Sequence, residues 1–339
     1  MNMISIIIPL KRDRGYLKSC VEACLNQDDK EMEMIILPDE PLPWNDPHVI
    51  QEATGPISPA RKRNRGVQLS KGEILAFIDD DTHPQPGWLQ AALVHFQDSH
   101  IGAVGGPSIT PPDDPFWAQV SGAVYESWMM SGSERLRYHP TTARDVEDFP
   151  SCNLLVRRSA FEAVGGFRTD FWPGEDTEFC LALIQKGFRI RYEPQAMIEH
   201  HRRPSLAQHF KQLASYGLHR GYFVKRFPKT SLRFRYFLPS LFVVGTILLI
   251  GNTLAGSLAA SWLLVIGGVI YVSLAALSFA DKPKPLQIGA VCVIFCSHVT
   301  YGIAFLGGLI AQRLPEEKRA ISSLPEIQIL ETRNQKPET

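Results

Sequence analysis

The sequence lacks an excess of charge of either sign, since its 339 residues contain 35 Lys and Arg against 35 Asp and Glu. Nucleic-acid-binding proteins normally carry a clear basic excess, so no nucleic-acid partner is expected. The 6 cysteines are too few in a chain of this length for a small disulfide-stapled fold. Internal repeats and low-complexity segments are also missing, which excludes a solenoid or a largely disordered chain.

Two long stretches lack charged side chains altogether. No Asp, Glu, Lys or Arg occurs in the 45 residues 236–280 or in the 25 residues 288–312. The remaining 269 residues hold all 70 charges, a share close to the ~25% of a soluble domain. This contrast predicts a soluble domain joined to a membrane region.

The apolar region divides into three candidate membrane helices, each near the ~20 residues that a bilayer requires. They cover residues 237–253, 258–279 and 288–309. Three crossings would place Arg313, Lys318 and Arg319 outside, against the positive-inside rule. A re-entrant or interfacial third segment is therefore an open alternative.

The segments before the membrane region indicate which side the soluble part occupies. The apolar run at Ile4–Pro9 is too short for a signal peptide and predicts a buried strand. Residues 200–235 contain nine Lys or Arg and no Asp or Glu, as expected of a cytoplasmic membrane flank or of contact with anionic lipid. We expect a multi-pass protein of the bacterial inner (plasma) membrane with its catalytic domain in the cytoplasm.

Apolar strands alternate with helical stretches in the first 205 residues, which predicts an α/β domain with a mostly parallel sheet. The predicted strands are 4–9, 33–37, 73–78, 102–109, 153–156 and 189–192. The predicted helices are 15–26, 59–70, 88–97, 159–164 and 175–186, and a loop is expected after Ile109.

Three carboxylates, Asp79, Asp80 and Asp81, directly follow the strand that ends at Ile78. Ligands of open α/β folds bind at the carboxyl ends of strands, and clustered carboxylates suit Mg²⁺ or Mn²⁺ bridging to phosphates. A solvated acidic turn is an equally good reading of this motif taken alone.

Three further motifs carry possible site residues. Glu175 and Asp176 open a predicted helix, where carboxylates are common as helix-dipole partners but one of them could act as a general base. The basic run at 61–65 is either a solvated helix face or a phosphate contact. His200 and His201 follow an expected strand, and a structural role is favoured over a metal or phosphate contact.

Together these motifs resemble glycosyltransferase family 2, whose members are inverting enzymes with the GT-A fold. The most specific stretch is Ser151-Cys152-Asn153-Leu154-Leu155-Val156-Arg157-Arg158-Ser159-Ala160-Phe161, followed by Val164-Gly165-Gly166-Phe167 and Gly174-Glu175-Asp176. The similarity covers residues 3–203 and runs more weakly through the membrane segment, as in membrane-anchored bacterial members with C-terminal transmembrane helices.

The resemblance implies a role for individual residues. Asp176 corresponds to the catalytic base and Glu175 to its acidic neighbour. The nucleotide-sugar contacts are implied at Pro9, Asp39, Arg63, Asp79 and Asp80. Asp81 is the expected direct ligand of a Mg²⁺ or Mn²⁺ ion, with Asp79 and His200 beside it.

The chain departs from the family pattern in its nucleotide pocket. The paired Asp-Asp after the second strand is Pro38-Asp39 here, and the Tyr-Asn after the first strand's Pro is Lys11-Arg12. The Gln-x-x-Arg-Trp motif of processive synthases is absent, because Leu213-Ala214-Ser215-Tyr216 follows Gln212. This absence favours addition of a single sugar.

We therefore expect a metal-dependent transfer of a hexosyl or related group from a nucleotide diphosphate sugar, with a UDP-sugar favoured. The expected acceptor is a lipid-linked compound or a glycan at the membrane surface, in cell-envelope or exopolysaccharide synthesis. The alternatives are a non-catalytic sugar-nucleotide sensor or scaffold and a nucleotidyltransferase.

The expected domain boundaries follow the changes in composition. Residues 1–205 form the catalytic domain, 206–235 basic interfacial helices, 236–312 the membrane region and 313–339 a polar tail.

Overall fold

Apolar strands of the first 205 residues form two sheets. The computed structural model of the protein describes residues 3–28, 31–44, 46–168 and 171–314. The larger sheet contains β1 (Ile4–Pro9), β2 (Met32–Leu37), β3 (Val49–Gln51), β4 (Ile74–Ile78), β6 (Ile101–Gly105), β8 (Arg144–Val146), β9 (Asn153–Arg157) and β10 (Arg189–Tyr192). The smaller sheet contains β5 (Thr82–Pro84), β7 (Ser108–Ile109) and β11 (Ile198–His200).

The larger sheet has the order β3-β2-β1-β4-β9-β6-β10-β8 and is mixed. Strand β1 lies between β2 and β4 and is parallel to both. Strand β9 lies antiparallel between β4 and β6, and β8 is antiparallel to β10. The carboxyl ends of β1, β2 and β4 therefore meet at one edge, which brings residues 9, 39 and 79–81 to the same side of the sheet.

Helices cover both faces of the larger sheet. They are α1 (Leu17–Leu25), α2 (Pro59–Leu69), α3 (Trp88–Leu93), α6 (Arg158–Val164) and α7 (Glu175–Gln185). Two more helices, α4 (Phe116–Glu126) and α5 (Trp128–Ser131), pack instead against the helices that follow residue 205. Alternate residues of β1 enter different cores: Ile6 and Ile8 pack with α1 and α3, and Ile7 packs with α2. Phe77 is fully buried against Phe167 in the core that also contains Ile7 and α2. Truncating Phe77 to Ala would lower the free energy of unfolding by about 3–5 kcal/mol.

Helix α2 lies unusually close to the sheet because it contains Gly66. A Cβ at this position would lie 2.5 Å from Cγ2 of Ile7 and 2.9 Å from Cδ1 of Leu37. This approach brings the buried side chains of Lys62 and Arg63, one turn earlier, to the edge where the parallel strands end.

Five helices follow residue 205 in the described part of the chain. They are α8 (Leu206–Arg226), α9 (Pro228–Ser231), α10 (Phe234–Leu254), α11 (Leu258–Ser278) and α12 (Lys284–Ile310). Helices α10, α11 and α12 are long and apolar enough to cross a membrane. Three apolar helices of this kind fit membrane anchoring, as the sequence predicted.

Most predicted elements are confirmed to within a few residues, including the strand before the acidic motif and the helix that begins at Glu175. One expectation needs correction. The strand expected over 102–109 is divided into β6 and β7, because the chain leaves β9 and β10 after Gly105 and pairs with β11 of the smaller sheet at Ser108. The loop expected after Ile109 is confirmed at residues 110–115, and α4 and α5, which the sequence did not predict, follow it. Most of the expected tail, residues 315–339, lies outside the described residues.

Candidate active site

The acidic motif lies where β4 ends, beside a histidine from β11. Asp79, Asp81 and His200 each direct a ligand atom into one group, with all three atoms within 4.8 Å of one another. His200 reaches this point because β11 pairs with β5, so that His200 lies opposite Thr82, the residue after Asp81. The neighbouring His201 instead contacts Asp114, with Nδ1 2.6 Å from its Oδ1. Only His200 of the two predicted histidines therefore joins the acidic motif.

Asp81 is surrounded by positive charge. Its Oδ2 lies 2.7 Å from a guanidinium nitrogen of Arg14, and its Oδ1 lies 3.2 Å from Nε2 of His200. Burial of Asp81 opposes its ionisation, but the charges of His200, Arg14 and Arg203 outweigh that effect and lower its pKa. The pKa of His200 rises to about 10, because the attraction of Asp81 exceeds the cost of burying the imidazolium. Asp81 is thus ionised at neutral pH.

The pKa of Asp80 is shifted in the opposite direction from that of Asp81. Burial, together with the negative charge of Asp81, raises the pKa of Asp80 to about 7, although Arg14 opposes the shift. Its Oδ2 is buried and has no hydrogen-bond partner within the described part of the chain. An unpartnered buried carboxylate oxygen is costly unless a cation or a donor approaches it.

The donors of this group fit a hard divalent cation. Carboxylate oxygens are the ligands that Mg²⁺ and Mn²⁺ prefer, and an imidazole nitrogen can complete such a set. The unpartnered oxygen of Asp80 and the mutual repulsion of neighbouring carboxylates agree with a positive charge at this point. Asp79, Asp81 and His200 would hold the ion.

Arg63 joins the acidic motif to the second carboxylate pair. Its guanidinium donates at 2.9 Å to Oδ1 of Asp79 and at 3.0 Å to Oε1 of Glu175. The side chain is buried and lies over the ring of Phe167, with 5.8 Å from Cζ to the ring centroid. One side chain therefore connects two motifs that are 96 positions apart in the sequence.

Glu175 and Asp176 begin α7 but face different surroundings. Glu175 is buried, and this burial together with the charge of Asp176 raises its pKa to about 7, against the opposing effect of Arg63. The pKa of Asp176 is raised by burial and by the nearby carboxylate of Asp148. Asp176 keeps exposed surface, and its Oδ1 accepts the backbone N–H of Thr177 at 2.8 Å. Glu175 is thus held by Arg63, while Asp176 is available to a substrate.

The other predicted nucleotide contacts lie further along the same sheet edge. Asp39 follows β2 and accepts a hydrogen bond from Lys62 Nζ at 2.6 Å. The same ammonium donates to the carbonyl oxygens of Leu10 at 2.7 Å and Leu37 at 3.0 Å. Pro9 is buried at the end of β1. The basic run of α2 therefore contributes Lys62 as well as Arg63, and sequence reasoning named only Arg63.

A cavity of about 610 Å³ connects these carboxylates to the C-terminal helices. Asp79, Glu175, Asp176 and His200 lie on one wall. The opposite wall comes from α8 and α12 and includes Lys211, Gln212, Ser215, Tyr216, His219, Arg220 and Tyr301. The exposed Trp172 lies at the rim. The carboxylates thus share one cavity with the helices that the sequence assigns to the membrane and its interface.

Sequence reasoning missed an ion network that borders the cavity. Asp148 accepts from Thr177 Oγ1 at 3.1 Å and from Arg220 at 3.1 Å, and its Oδ2 lies 3.5 Å from Arg137. Arg137 also pairs with Glu134 at 2.8 Å. The signal available in the sequence is the acidic stretch Asp145-Val146-Glu147-Asp148 directly before the motif at 151–161. This network fastens α8 to the start of α7.

Curated relatives of the chain include glycosyltransferases. Over 162 residues, or 47% of the chain, it is 33% identical to the pre-mycofactocin glycosyltransferase of Mycobacterium tuberculosis. The chain spans about a third of that relative's length, as the match covers 33% of it. A second relative matches over 91% of the chain and 98% of its own length at 24% identity. It is the dolichyl N-acetyl-alpha-D-glucosaminyl phosphate 3-beta-D-2,3-diacetamido-2,3-dideoxy-beta-D-glucuronosyltransferase of Methanococcus voltae.

A solved structure has the same fold. The mannosyltransferase PcManGT from Pyrobaculum calidifontis, solved with GDP-Man and Mn²⁺, superposes with a TM-score of 0.61 at 17% identity. The superposition covers 90% of this chain and 87% of that one. This likeness confirms the predicted GT-A architecture followed by C-terminal helices. The family model described as glycosyl transferase family group 2 matches residues 74–305, from the strand before the acidic motif to the last apolar helix, and the chain belongs to this family.

Proposed function

We propose that this protein transfers a glycosyl group, with inversion, from a nucleotide diphosphate sugar to a lipid-linked acceptor at the membrane surface. The observation that carries the proposal is the cavity, since it connects the acidic motif and Asp176 to α8 and to Tyr301 of α12. An acceptor anchored in the bilayer could reach the carboxylates through this opening. Membership of the family supports the reaction type.

The donor would bind along the edge formed by β2, β1 and β4. Asp39, held by Lys62, is suited to a ribose or base, and Asp79 and Asp80 lie further along the same edge. A Mg²⁺ or Mn²⁺ ion, when bound, supplies positive charge to the leaving diphosphate. Arg63 fixes Asp79 in position and does not need to touch the sugar itself.

Asp176 is the proposed general base. Its raised pKa makes it a stronger base than an ordinary aspartate, and it faces the cavity from which an acceptor would approach. It would remove the proton from the acceptor hydroxyl as that oxygen attacks the anomeric carbon from the side opposite the diphosphate. Glu175, paired with Arg63, is the positioning residue that ties this base to the acidic motif.

The domain boundaries and the orientation belong to the same proposal. Residues 1–205 would form the catalytic domain, 206–235 the interfacial helices, 236–312 the membrane region and 313–339 the tail. Nucleotide sugars are cytosolic, so the catalytic domain would lie on the cytoplasmic side of a bacterial inner membrane. The nine cations between His200 and Arg235 support that side.

The test is nucleoside diphosphate release by detergent-purified protein offered a panel of nucleotide sugars, with and without Mn²⁺. A polyprenyl phosphate lipid and a soluble glycan serve as alternative acceptors. We expect release with one donor, faster with the lipid acceptor, and a product whose anomeric configuration is inverted by NMR. Asp176→Asn should abolish transfer and leave donor binding intact, whereas Asp113→Asn, at an exposed carboxylate, should behave as wild type.

The other outcomes contradict the proposal in distinct ways. Release of pyrophosphate would indicate a nucleotidyltransferase. Donor binding without turnover, even with membrane lipid extract as acceptor, would indicate a sensor or scaffold. Equal rates of nucleoside diphosphate release with the soluble glycan and with the lipid would reject only the lipid-linked acceptor. The proposed glycosyl transfer would still hold.

A further inference from the structure

Helix α12 is long and apolar enough to cross a bilayer, yet its surroundings differ from those of α10 and α11. Its 27 residues span about 40 Å, against a hydrocarbon core of about 30 Å. In the most apolar 18-residue stretch of α12, 39% of the residues are buried by other parts of the protein. The corresponding share is 11% in both α10 and α11. Contacts with α8 and with α4 of the catalytic domain contribute to this difference.

The first half of α12 packs against α4 of the catalytic domain. Ala290, Val293 and Ile294 share a core with Val120 and Val124. One turn further on, Ser297 Oγ lies 3.0 Å from Nε2 of His209, and Nδ1 of the same imidazole lies 2.7 Å from Ser121 Oγ. The amino-terminal half of α12 therefore lies beside elements that precede the membrane region.

The second half of α12 runs alongside α8. A Cβ added to Gly221 or to Gly308 would overlap the main chain of the facing helix, so the two backbones nearly touch. Lys225 Nζ donates to the carbonyl oxygen of Ala311 at 2.5 Å. Just beyond the helix, Leu314 packs with Phe171 of the catalytic domain. Both ends of α12 thus contact the catalytic half.

The composition of α8 decides between a spanning and a surface orientation. It carries Lys211, Arg220, Lys225 and Arg226 and follows α12 from Ser297 to Ala311. If α12 crossed the bilayer, α8 would have to cross with it, and each cation at the bilayer centre would cost about 2.5–3.5 kcal/mol or more. Such a helix belongs at the interface.

The contacts of α12 with the other two apolar helices point the same way. Near its end, Gly302 passes close to the backbone of Pro239, at the start of α10. Near its middle, Nδ1 of His298 lies 2.8 Å from the Tyr271 hydroxyl, in the second half of α11. These are the portions of α10 and α11 nearest the catalytic domain, so α12 lies across the base of the α10–α11 hairpin.

The outward face of α12 is apolar beyond its first turn. Its exposed residues are Lys284 and Pro285 in that turn and then Ile288, Cys292, Phe295, Cys296, Ile303 and Ile310. Apart from the adjacent pair Phe295 and Cys296, the apolar ones recur at intervals of three, four or seven and form one stripe along the helix. This stripe supplies the apolar face that a helix lying in the membrane surface buries at the boundary between headgroups and acyl chains.

We propose that α12 lies in the plane of the membrane surface, with this stripe in the acyl chains of the leaflet below the catalytic domain. The chain then crosses the bilayer twice, by α10 and α11. Residues on either side of the segment from α10 to α12 lie on the same side of the membrane. This inference does not depend on the proposed reaction.

The first test locates the two ends of the full chain in a bacterial host. GFP, which fluoresces only in the cytoplasm, and alkaline phosphatase, which is active only outside it, are fused before Met1 or after Thr339. A third pair of fusions places the reporters at Gly256, between α10 and α11. We expect both ends to give the same reporter response and Gly256 the opposite one. Opposite responses at the two ends would overturn the proposal.

The second test measures depth in proteoliposomes with nitroxide labels and membrane-restricted relaxation agents. Labels at Cys292, Ile303→Cys and Ile310→Cys are compared, one at a time, in protein lacking Cys152 and the other α12 thiols. We expect no systematic change of depth. A spanning or re-entrant helix changes depth by up to about 1.5 Å per residue, or about 16 Å from 292 to 303, and that result would overturn the proposal. Val265→Cys and Val272→Cys on α11 are the controls and should differ by about 10 Å.

Discussion

Replacing Arg63 by Met tests whether one side chain couples the acidic motif to the general base. The substitution keeps most of the side-chain volume over Phe167 and removes both donors. Glu175, whose side chain is 6% exposed, would lose its cationic partner, and breaking a buried ion pair in this way costs about 3–5 kcal/mol. Glu175 would then take up a proton, because its pKa is already about 7 with Arg63 in place.

The effect on activity comes through Asp79. An outer partner that orients a metal ligand is worth about 10–100-fold in metal affinity or rate, and the charge-assisted bond at 2.9 Å has that role here. We therefore expect the Mn²⁺ concentration for half-maximal nucleoside diphosphate release to rise by about 10–100-fold. Arg63→Lys should fall between wild type and Arg63→Met, because a single ammonium lacks the planar fork that reaches both carboxylates.

Arg65 offers a matched control on the same helix. It pairs with Glu52 at 2.6 Å, but both side chains are more than a third exposed, and such pairs contribute little. Arg65→Met should leave both melting temperature and Mn²⁺ dependence unchanged. Wild-type Mn²⁺ dependence in a folded Arg63→Met protein, as judged by thermal unfolding in detergent, would refute the coupling.

Three further outcomes follow from the described contacts. Mn²⁺ at 100 times its dissociation constant should stabilise the protein by about 2.7 kcal/mol, seen as a raised melting temperature, and Asp81→Asn should remove that rise. Glu175 has a folded-state pKa of about 7, above its unfolded value, so it favours the folded state at low pH and this contribution is lost as pH rises toward 7. Melting temperatures from pH 5 to 7.5 should show that decline, and it should be shallower in Glu175→Gln. His209→Ala should lower stability by roughly 1–3 kcal/mol, because the hydroxyls of Ser121 and Ser297 lose their partner, whereas His100→Ala, at an exposed side chain, should have no effect.

The sequence predicted those parts of the fold that depend on local pattern. Continuous apolar runs of five or six residues, such as Ile4–Pro9 and Ile74–Ile78, favour buried strands, and the long charge-free stretches favour helices in an apolar setting. Helix α4 was missed because its residues read as a sequel to a Pro- and Asp-rich loop. Its apolar face packs against α8, α11 and α12, which follow it by about 80 to 170 positions in the chain.

The sequence predicts which residues belong to the candidate site but not which of them contact one another. The spacing of Asp79, Asp81, Glu175 and Asp176 is a family pattern that a sequence displays directly. The contact of Arg63 with both carboxylate pairs depends on how closely α2 approaches the sheet, and the approach depends on Gly66. The role of Asp148 depends on Arg220, which lies in a helix that sequence reasoning described only as basic.

The near-contact between α8 and α12 has a consequence for dissecting the protein. Tyr301 and the α8 side chains form one wall of the cavity, and α8 keeps its place through the glycines that let α12 lie against it. A fragment ending before α10 would keep the carboxylates of the cavity and the side chains of α8, but it would lose Tyr301 and the packing of α12 against α8. Removing the apolar helices by truncation would therefore also alter the lining of the cavity.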